Sequence, residues 1–354
     1  MLDFITEKVT IFAPNEDVDF QDQSNVIRSW NLDNNSQNLD FLYSQILNNR
    51  ITTIILQFNY GFFEFSHLSK FLQKISKKNI RIIIFLHSTI NPKNRLDKSL
   101  YNLRESFAMC DRLLVHTPSD LNRLRQIGLG MNSYIFPHGI LDFDQLNDMN
   151  VNTCVKSLNN SKINIATYGF CLPNKGYKEL IHAIKILKNI NLNINLTLYS
   201  AIHSSRSSIL HVEELKALIN ELELNKCITI DSYYYSDSET LKNLSKQDLI
   251  IFPYQSSNES SSASVRHGLA AGPSVLVTPV PIFDDLKNVV QTLPGISPAD
   301  IADGIKSWLE NINDKQNIDK SVKADHWRKQ HRFSLLGRRL QGLVKGLEIN
   351  QDFL

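Results

Sequence analysis

Apolar runs of strand length alternate with amphipathic stretches of helix length along most of the chain. In the first half, the runs at 51–59, 80–88 and 111–117 ("ITTIILQFN", "IRIIIFLHS" and "DRLLVHT") are nearly continuously apolar, whereas 66–79 and 118–129 repeat apolar residues at helical spacing. Parallel strands that are covered on both faces have such continuous apolar runs. The alternation therefore predicts a doubly wound α/β sheet.

A polar stretch at 147–162, "NDMNVNTCVKSLNNSK", interrupts this alternation. Its lack of apolar periodicity predicts a linker. A second series follows, which begins with a strand at 163–170 and a helix at 178–190 and ends with a strand at 274–279. Two such series predict two Rossmann-like domains with parallel sheets that face a cleft, where the carboxyl ends of the strands bind ligands.

The 354-residue chain is long enough for two well-packed domains and a terminal extension. We expect an N-terminal Rossmann-like domain at 1–150, a second at 151–315, and a C-terminal helix at 316–354 that returns toward the first domain. The stretch 327–347 has six basic residues, no acidic one, and four leucines at helical spacing, Leu336, Leu340, Leu343 and Leu347. This helix either packs with a solvated basic face or lies on an anionic membrane.

Composition excludes several classes of protein. A formal net charge of +2 gives no global indication of nucleic-acid binding. Four cysteines, Cys110, Cys154, Cys171 and Cys227, form no C-x-x-C pair, which argues against both a disulfide framework and a zinc site. The N-terminus has no signal-peptide pattern, and no apolar run approaches the ~18 residues that span a bilayer. We therefore expect a cytoplasmic protein.

The loop "PYQSSNESSSASVRHG" at 253–268 is the first candidate for chemistry. A helix that begins near Ala263 directs its unpaired N–H groups and positive dipole end into this loop, which favours an anion such as phosphate. A carboxylate beside a phosphate is repulsive, so Glu259 is better suited to accept hydroxyl groups. Phosphate next to a polyhydroxyl group indicates a sugar nucleotide. The alternative is a serine N-cap with Glu259 favouring the helix dipole.

A second loop, "IATYGFCLPNKGYKELI" at 165–181, passes through Gly169 and presents Lys175 just before a helix. The lysine can neutralise a diphosphate. Neither G-x-x-x-x-G-K-[ST] nor G-x-G-x-x-G occurs, which disfavours ATP and dinucleotide ligands.

These two loops together resemble the donor domain of retaining glycosyltransferases of family 4, which have the GT-B fold. The stretches "IRIIIFLHST", "CDRLLVHTPSDLNRLRQIG" and "YIFPHGI" are similar to the acceptor domain of that family, and "DHWRKQHRFSLLGRRLQGL" to its terminal helix. The resemblance spans residues 51 to about 345.

The resemblance implies a role for each matching residue. Glu259 matches the first glutamate of the family's Glu-x7-Glu motif, which holds donor-sugar hydroxyls, and Lys175 matches the lysine on the diphosphate. Backbone donors to the diphosphate match Ser261, Ser262 and Ala263. His87 matches an acceptor-domain position near the reacting sugar. The remaining residues expected in the donor site are Gly169, Phe170, Ser264, Arg266 and His267.

Three departures from the family pattern stand out. His267 replaces the second glutamate, the ribose ligand, although imidazole can still form a hydrogen bond with a hydroxyl. Phe170 stands where the family often has a phosphate-binding arginine, a charge that Arg266 can replace. The glycine-rich loop common after the first strand is missing from "IFAPNEDVDFQDQS" at 11–24.

The resemblance implies a metal-independent hexosyltransferase without a cofactor, whose substrate is a nucleoside-diphosphate sugar. Its acceptor is expected to be a glycan or a lipid-linked molecule in surface polysaccharide synthesis. Its basic helices are expected to allow peripheral contact with the cytoplasmic face of the membrane. The departures keep a catalytically inactive sugar-nucleotide-binding scaffold or partner subunit as the alternative.

Other candidate residues carry less specific signals. The pairs Asp17/Asp19 and Asp142/Asp144 resemble the metal-binding D-x-D of GT-A enzymes, but two Rossmann-like series contradict that fold. A GT-B epimerase would need further cleft carboxylates. Three consecutive tyrosines, 233–235, can wall a base pocket, although they cannot all face one way. The histidines at other strand ends or loops are His116, His138 and His203.

Overall fold

The computed structural model describes five ranges of the chain: residues 4–15, 21–32, 38–143, 162–311 and 315–349. The chain forms two compact units. Unit 1 comprises Met1–His138, Asn258–Ser261 and Phe333–Leu354, and unit 2 comprises Gly139–Ser257 and Ser262–Arg332. All but Lys162 of the predicted linker, together with Asp17, Asp19, Asp144 and Cys154, lie outside the described residues.

Unit 1 contains two parallel sheets. The small one pairs β1 (Ile11–Pro14) with β2 (Val26–Trp30). The larger has the order β3-β4-β5-β6, formed by Thr53–Phe58, Arg81–Leu86, Arg112–Val115 and Ser133–Ile135. Five of the six residues of β4 are buried, because helices and loops cover both faces of a parallel sheet.

Four helices of unit 1 follow these strands: α1 (Asp40–Asn48), α2 (Phe65–Ser76), α3 (Arg104–Ala108) and α4 (Pro118–Gln126). The buried residues of α2 are Phe65, Leu68, Phe71, Leu72 and Ile75, which lie at helical spacing on one side. Two short 3-10 helices, Leu96–Lys98 and Leu100–Leu103, precede α3.

Unit 2 contains one six-stranded parallel sheet in the order β12-β11-β10-β7-β8-β9. In chain order the strands are Ile163–Tyr168 (β7), Ile194–Tyr199 (β8), Ile228–Asp231 (β9), Leu249–Phe252 (β10), Ser274–Val277 (β11) and Gln291–Thr292 (β12). The order reverses beside β7, and ligands bind at such switch points in open sheets.

The described part of unit 2 contains six α-helices. They are α5 (Tyr177–Asn189), α6 (Arg206–Glu221), α7 (Asp237–Leu244), α8 (Ala263–Ala271), α9 (Pro298–Glu310) and α10 (Lys315–His331). Apolar residues of α5, α6 and α9 form one core cluster with β7 and β8, and α8 contributes to a second one. Units 1 and 2 both have parallel sheets with helical connections, which confirms the predicted α/β class.

The last helix, α11 (Phe333–Ile349), belongs to unit 1. Its buried leucines, Leu336, Leu340 and Leu347, form a cluster with Ile83, Phe85, Leu114 and Phe136 of the four-stranded sheet region. The predicted apolar face of this helix therefore packs within unit 1. Across the described ranges, no helix is both long enough and apolar enough to cross a membrane.

Candidate functional site

The N-terminus of α8 lies at the predicted position. Ser262 is its N-cap residue, with an extended backbone, and its hydroxyl accepts a hydrogen bond from the amide of Val265. The same hydroxyl lies 3.2 Å from the phenol oxygen of Tyr254, whose side chain is fully buried. Because a helix of nine residues has a positive dipole end at its first turn, this position favours an anion.

Lys175 contacts the same tyrosine. It ends a short 3-10 helix, Pro173–Lys175, and its Nζ lies 3.8 Å from the centroid of the Tyr254 ring. The next residue, Gly176, has φ +75°, and a Cβ there would lie 1.8 Å from the carbonyl oxygen of Pro253. Only glycine fits this turn, which holds the Lys175 backbone against β10 and its loop. Tyr254 thus connects the two residues: its ring face makes a cation–π contact with Lys175, and its hydroxyl forms a hydrogen bond with Ser262.

A cavity of about 220 Å³ lies in unit 2. It is lined by Tyr168, Gly169, Phe170, Tyr199, Ala201, Tyr233, Tyr234, Tyr235, Asp237, Thr240, Asn243, Ala263, Ser264 and His267. Gly169 has φ +137°, and a Cβ there would lie 2.9 Å from the Ser264 hydroxyl, so the glycine lets β7 approach the start of α8.

Aromatic side chains form much of the wall of this cavity. Phe170 stacks on Tyr234 at 6.1 Å between ring centroids and meets His203 edge-on. The side chains of Tyr233 and Tyr234 are 67% and 72% exposed, whereas Tyr235 donates a hydrogen bond to Asp231. Exposed aromatic faces in a cavity are suited to stacking with a planar base.

Both ring nitrogens of His267 already face oxygen atoms. Nδ1 lies 3.0 Å from the carbonyl of Ala263, and Nε2 lies 3.3 Å from a carboxylate oxygen of Asp237. The ring also packs on Tyr168, with 5.1 Å between centroids. The side chain of Asp237 is 67% exposed and lines the cavity. Its carboxylate is therefore better placed than the imidazole to accept a hydroxyl group from a ligand.

Arg266 does not lie in this cavity. Only 2% exposed, its side chain donates to the carbonyl of Ser262 and forms an ion pair with Asp285. Burial lowers the pKa of Arg266 and raises that of Asp285, and the attraction between the two groups opposes both shifts. The expectation that Arg266 replaces the phosphate-binding charge does not fit this position, because α8 directs the residue into the core.

Three histidines cluster in unit 1, at the ends of adjacent strands. His87 follows β4, His116 follows β5 and His138 lies three residues after β6. Nδ1 of His87 lies 3.2 Å from Nε2 of His116, and the rings of His116 and His138 are 5.1 Å apart. Of the three, only His87 was expected in the site. The shared strand-end position was the signal for the other two.

Hydrogen bonds constrain the protonation of this cluster. His116 Nδ1 donates to the carbonyl of Phe136 at 3.1 Å, so Nε2 of neutral His116 accepts a hydrogen bond from the Nδ1–H of His87. His87 Nε2 lies 2.7 Å from the side-chain amide of Gln57. His87 carries two protons if the amide oxygen faces it, and one if the amide nitrogen does. Burial lowers the pKa of His87 and favours the neutral ring.

Glu259 and Ser261 lie in the segment Asn258–Ser261 of unit 1. The side chain of Glu259 is exposed. Among the described residues, the buried hydroxyl of Ser261 has no hydrogen-bond partner. The neighbouring Ser260 is buried and donates to Asp120.

Within the described part of the chain, no group of three or more His, Cys, Asp or Glu residues is arranged to hold a metal ion. Three of the four cysteines, Cys110, Cys171 and Cys227, are described, and each is free. Burial raises the pKa of Cys110 to about 12, which keeps this thiol protonated at neutral pH.

No family model and no curated protein matches the chain. Solved structures do resemble it. Sucrose-phosphate synthase from Thermosynechococcus elongatus has a TM-score of 0.70 at 10% identity, over 96% of this chain and 88% of that one. A glycosyltransferase from Rickettsia africae ESF-5 has a TM-score of 0.69 at 14% identity, over 92% and 84% of the two chains.

Anabaena HepE, solved in complex with UDP and glucose, has a TM-score of 0.62 at 12% identity, over 86% of this chain and 81% of that one. Identities this low carry information about fold alone. The chain has the GT-B fold of these glycosyltransferases.

Proposed function

We propose that the protein is a glycosyltransferase that transfers a sugar from a nucleoside-diphosphate sugar to a glycan or lipid-linked acceptor, with retention of anomeric configuration. The observation that carries this proposal is the placement of Lys175 and the N-cap Ser262 on one buried ring, Tyr254, at the positive end of α8. An ammonium group and a helix N-terminus together suit a diphosphate leaving group. Neither requires a metal ion or a cofactor.

The cavity of unit 2 supports the nucleotide part of the proposal. Its volume of about 220 Å³ lies below the usual range for a complete ligand pocket. The cavity therefore suits one part of a nucleotide, with the rest of the ligand exposed to solvent. Phe170 and the neighbouring tyrosines offer aromatic faces to a base. The carboxylate of Asp237 offers an acceptor to a hydroxyl group. Gly169, Ala263 and Ser264 form the side of the cavity nearest the start of α8.

Bond changes in the proposed step balance without a protein nucleophile. The bond between the anomeric carbon and the phosphate oxygen breaks, and the electron pair stays on the departing diphosphate. The acceptor hydroxyl forms a new bond to the same carbon on the same face, and its proton passes to the departing phosphate oxygen. Lys175 and the amides at Ser262 and Ala263 stabilise the growing negative charge.

The unit 1 residues have separate proposed roles. Glu259, whose carboxylate is exposed, accepts hydroxyl groups of the donor sugar, and Ser261 adds a backbone donor to the diphosphate. His87 is assigned to the acceptor side, where its Nε2 would exchange the hydrogen bond with Gln57 for one with an acceptor hydroxyl. A surface-polysaccharide acceptor would place the protein at the cytoplasmic membrane face, where basic residues of α10 and α11 meet anionic lipid.

Two observations favour the alternative of an inactive, nucleotide-binding scaffold or partner subunit. Arg266 is buried in an ion pair, and both nitrogens of His267 face oxygen atoms, so neither adds a free donor to the cavity. Such a protein binds a nucleotide and never turns over its sugar conjugate.

Turnover distinguishes the two functions. A thermal-shift screen of UDP, GDP, ADP and CMP with their sugar conjugates identifies the donor, because a ligand that binds the folded state raises its stability. With that donor, we expect Lys175→Ala and Glu259→Ala to lower hydrolysis or transfer about 100 to 1000-fold, the usual loss for one preorganised electrostatic contact. Folded variants with unchanged rates contradict the assigned roles. A wild type that binds the donor without turnover supports the scaffold.

A further inference from the structure

A fully buried carboxylate in unit 1 lies beside the residues that follow β4. Asp120, in the first turn of α4, has 0% exposure. Its Oδ1 accepts hydrogen bonds from Thr89 (2.5 Å), Arg123 (2.6 Å) and Ser260 (2.8 Å), and its Oδ2 accepts one from Thr117 (2.5 Å). A buried charge is costly unless its acceptor sites are filled. These four donors fill them.

Two of these donors are explained by the helix itself. Thr117 is the N-cap residue of α4 and Arg123 lies one turn after Asp120, so both would hold the carboxylate in an isolated helix end. The other two donors come from outside α4, since Thr89 lies 31 residues away in sequence and Ser260 lies 140 residues away. The hydroxyl of Ser260 connects the first turn of α4 to the segment Asn258–Ser261.

Two further hydrogen bonds hold the same segment. The hydroxyl of Ser88 donates to the carbonyl of Asn258 at 2.7 Å, and the amide of Ser260 donates to the carbonyl of His87 at 3.3 Å. The residues immediately before and after Glu259 are therefore both held, while the Glu259 side chain is exposed. Fixing the backbone on both sides restricts the positions that the carboxylate can reach.

We propose that Asp120 is a positioning residue, which through Ser260 fixes Glu259 for contact with the hydroxyl groups of a donor sugar. This inference rests on the proposed function, since it concerns the sugar-binding role of Glu259. Asp120 is itself buried and does not touch the sugar. Burial by itself would raise the pKa of Asp120. The hydrogen bonds to the carboxylate together outweigh burial, so the pKa of Asp120 is lowered. The carboxylate is thus charged, and its hydrogen bond to Ser260 is of the stronger, charge-assisted kind.

The test removes the connection and leaves α4 intact. Ser260→Ala deletes the hydrogen bond to Asp120, and Ser256→Ala is the matched control, because Ser256 is an exposed serine of the same loop. Ser88→Ala removes the bond on the other side of Glu259 and serves as a second variant if Ser260→Ala folds poorly. Folding of each is checked by thermal melting before the kinetics.

We expect Ser260→Ala to lower kcat for donor hydrolysis about 10 to 100-fold, the range for losing a hydrogen bond to a charged group. Affinity for the free nucleoside diphosphate falls less than kcat, because that molecule has no sugar for Glu259 to hold and Ser261 supplies only one of its proposed donors. Hydrogen exchange at amides 258–261 becomes faster than in Ser256→Ala. A kcat equal to that of the control overturns the proposal.

A double variant separates positioning from a merely structural role. If Ser260 acts through Glu259, Ser260→Ala causes no further loss of turnover in a Glu259→Ala background. Additive losses overturn the positioning role and leave the proposed function standing. A wild type that turns over no nucleotide sugar overturns the proposed function and the positioning role together. In that case, faster exchange at 258–261 shows only that the hydrogen bonds hold the segment.

Discussion

Tyr254 shows how single residues build the candidate site. Its ring face receives the ammonium of Lys175 and its hydroxyl meets Ser262. The positions of Lys175 and Ser262 beside helix starts could be predicted from the sequence, because glycine, lysine and serine next to helix starts are local patterns. Tyr254 could not, since the sequence shows a tyrosine after a strand and not the two partners around it.

Arg266 shows the opposite outcome at the same scale. Its charge suggested a phosphate ligand, but Arg266 is one of the buried residues of α8, which are Val265, Arg266, Gly268, Leu269, Ala270 and Ala271. The helical spacing that placed Arg266 among them was visible in the sequence. Its partner Asp285, 19 residues away, was not. The periodicity of apolar residues cannot predict which distant residue pairs with a buried charge.

The protonation of His87 gives a prediction at the residue scale. Its pKa lies below the ordinary value of 6.5 because of burial, so the folded state takes up a proton later than the unfolded state. This histidine's contribution to stability is present above about pH 6.5 and is lost as the pH falls toward the lower, folded-state pKa. Gln57→Glu places a negative charge 2.7 Å from the ring and should raise the pKa of His87.

NMR titration of the imidazole protons measures the pKa of His87, and the variant His87→Gln assigns its signal. We expect the pKa of His87 to lie below 6.5 in the wild type and to be higher in Gln57→Glu. A wild-type pKa above 6.5 would mean that the charged ring is the stable form, with the Gln57 oxygen facing it.

At the scale of elements, a strong apolar pattern was sufficient to predict strands and helices. The predicted strands at 80–88 and 163–170 correspond to β4 and β7, and the predicted helix near Ala263 corresponds to α8. Elements without that signal were not predicted. Strand β2, "VIRSW", belongs to a two-stranded sheet and has no continuous apolar run. Strand β12 has only two residues, too few for a pattern. Such elements depend on tertiary pairing more than on their own sequence.

The packing of α11 gives a prediction at this scale. Leu340 is 1% exposed in the cluster with Phe85 and Leu114. Leu340→Ala should lower the free energy of unfolding by about 2 to 5 kcal/mol, through lost burial and a residual cavity. Leu96→Ala is the matched control, because Leu96 is 90% exposed and its loss should change stability by less than about 0.5 kcal/mol. Urea unfolding measures both, and equal effects would contradict the packing of α11 within unit 1.

At the scale of the whole molecule, the fold is retained where sequence identity is not. The chain matches glycosyltransferases with TM-scores of 0.70 and 0.69 at 10% and 14% identity. Apolar residues at the right spacing, with side chains of about the right total volume, are enough to specify such a fold. Function depends instead on few residues. The fold class was therefore predictable from the pattern, whereas the proposed activity depends on Lys175, Glu259 and the start of α8.

The most direct measurement is calorimetric titration of UDP, GDP and ADP into wild type, Lys175→Ala and Lys178→Ala. Lys178 is the matched control, since it is a half-exposed lysine in a surface ion pair with Glu214. We expect at least one of the three nucleotides to bind the wild type. Lys175→Ala should weaken its affinity about 10 to 100-fold, and Lys178→Ala should leave that affinity unchanged. Equal affinities in wild type and Lys175→Ala, or no binding of any of the three, would contradict a diphosphate site at Lys175 and the N-terminus of α8.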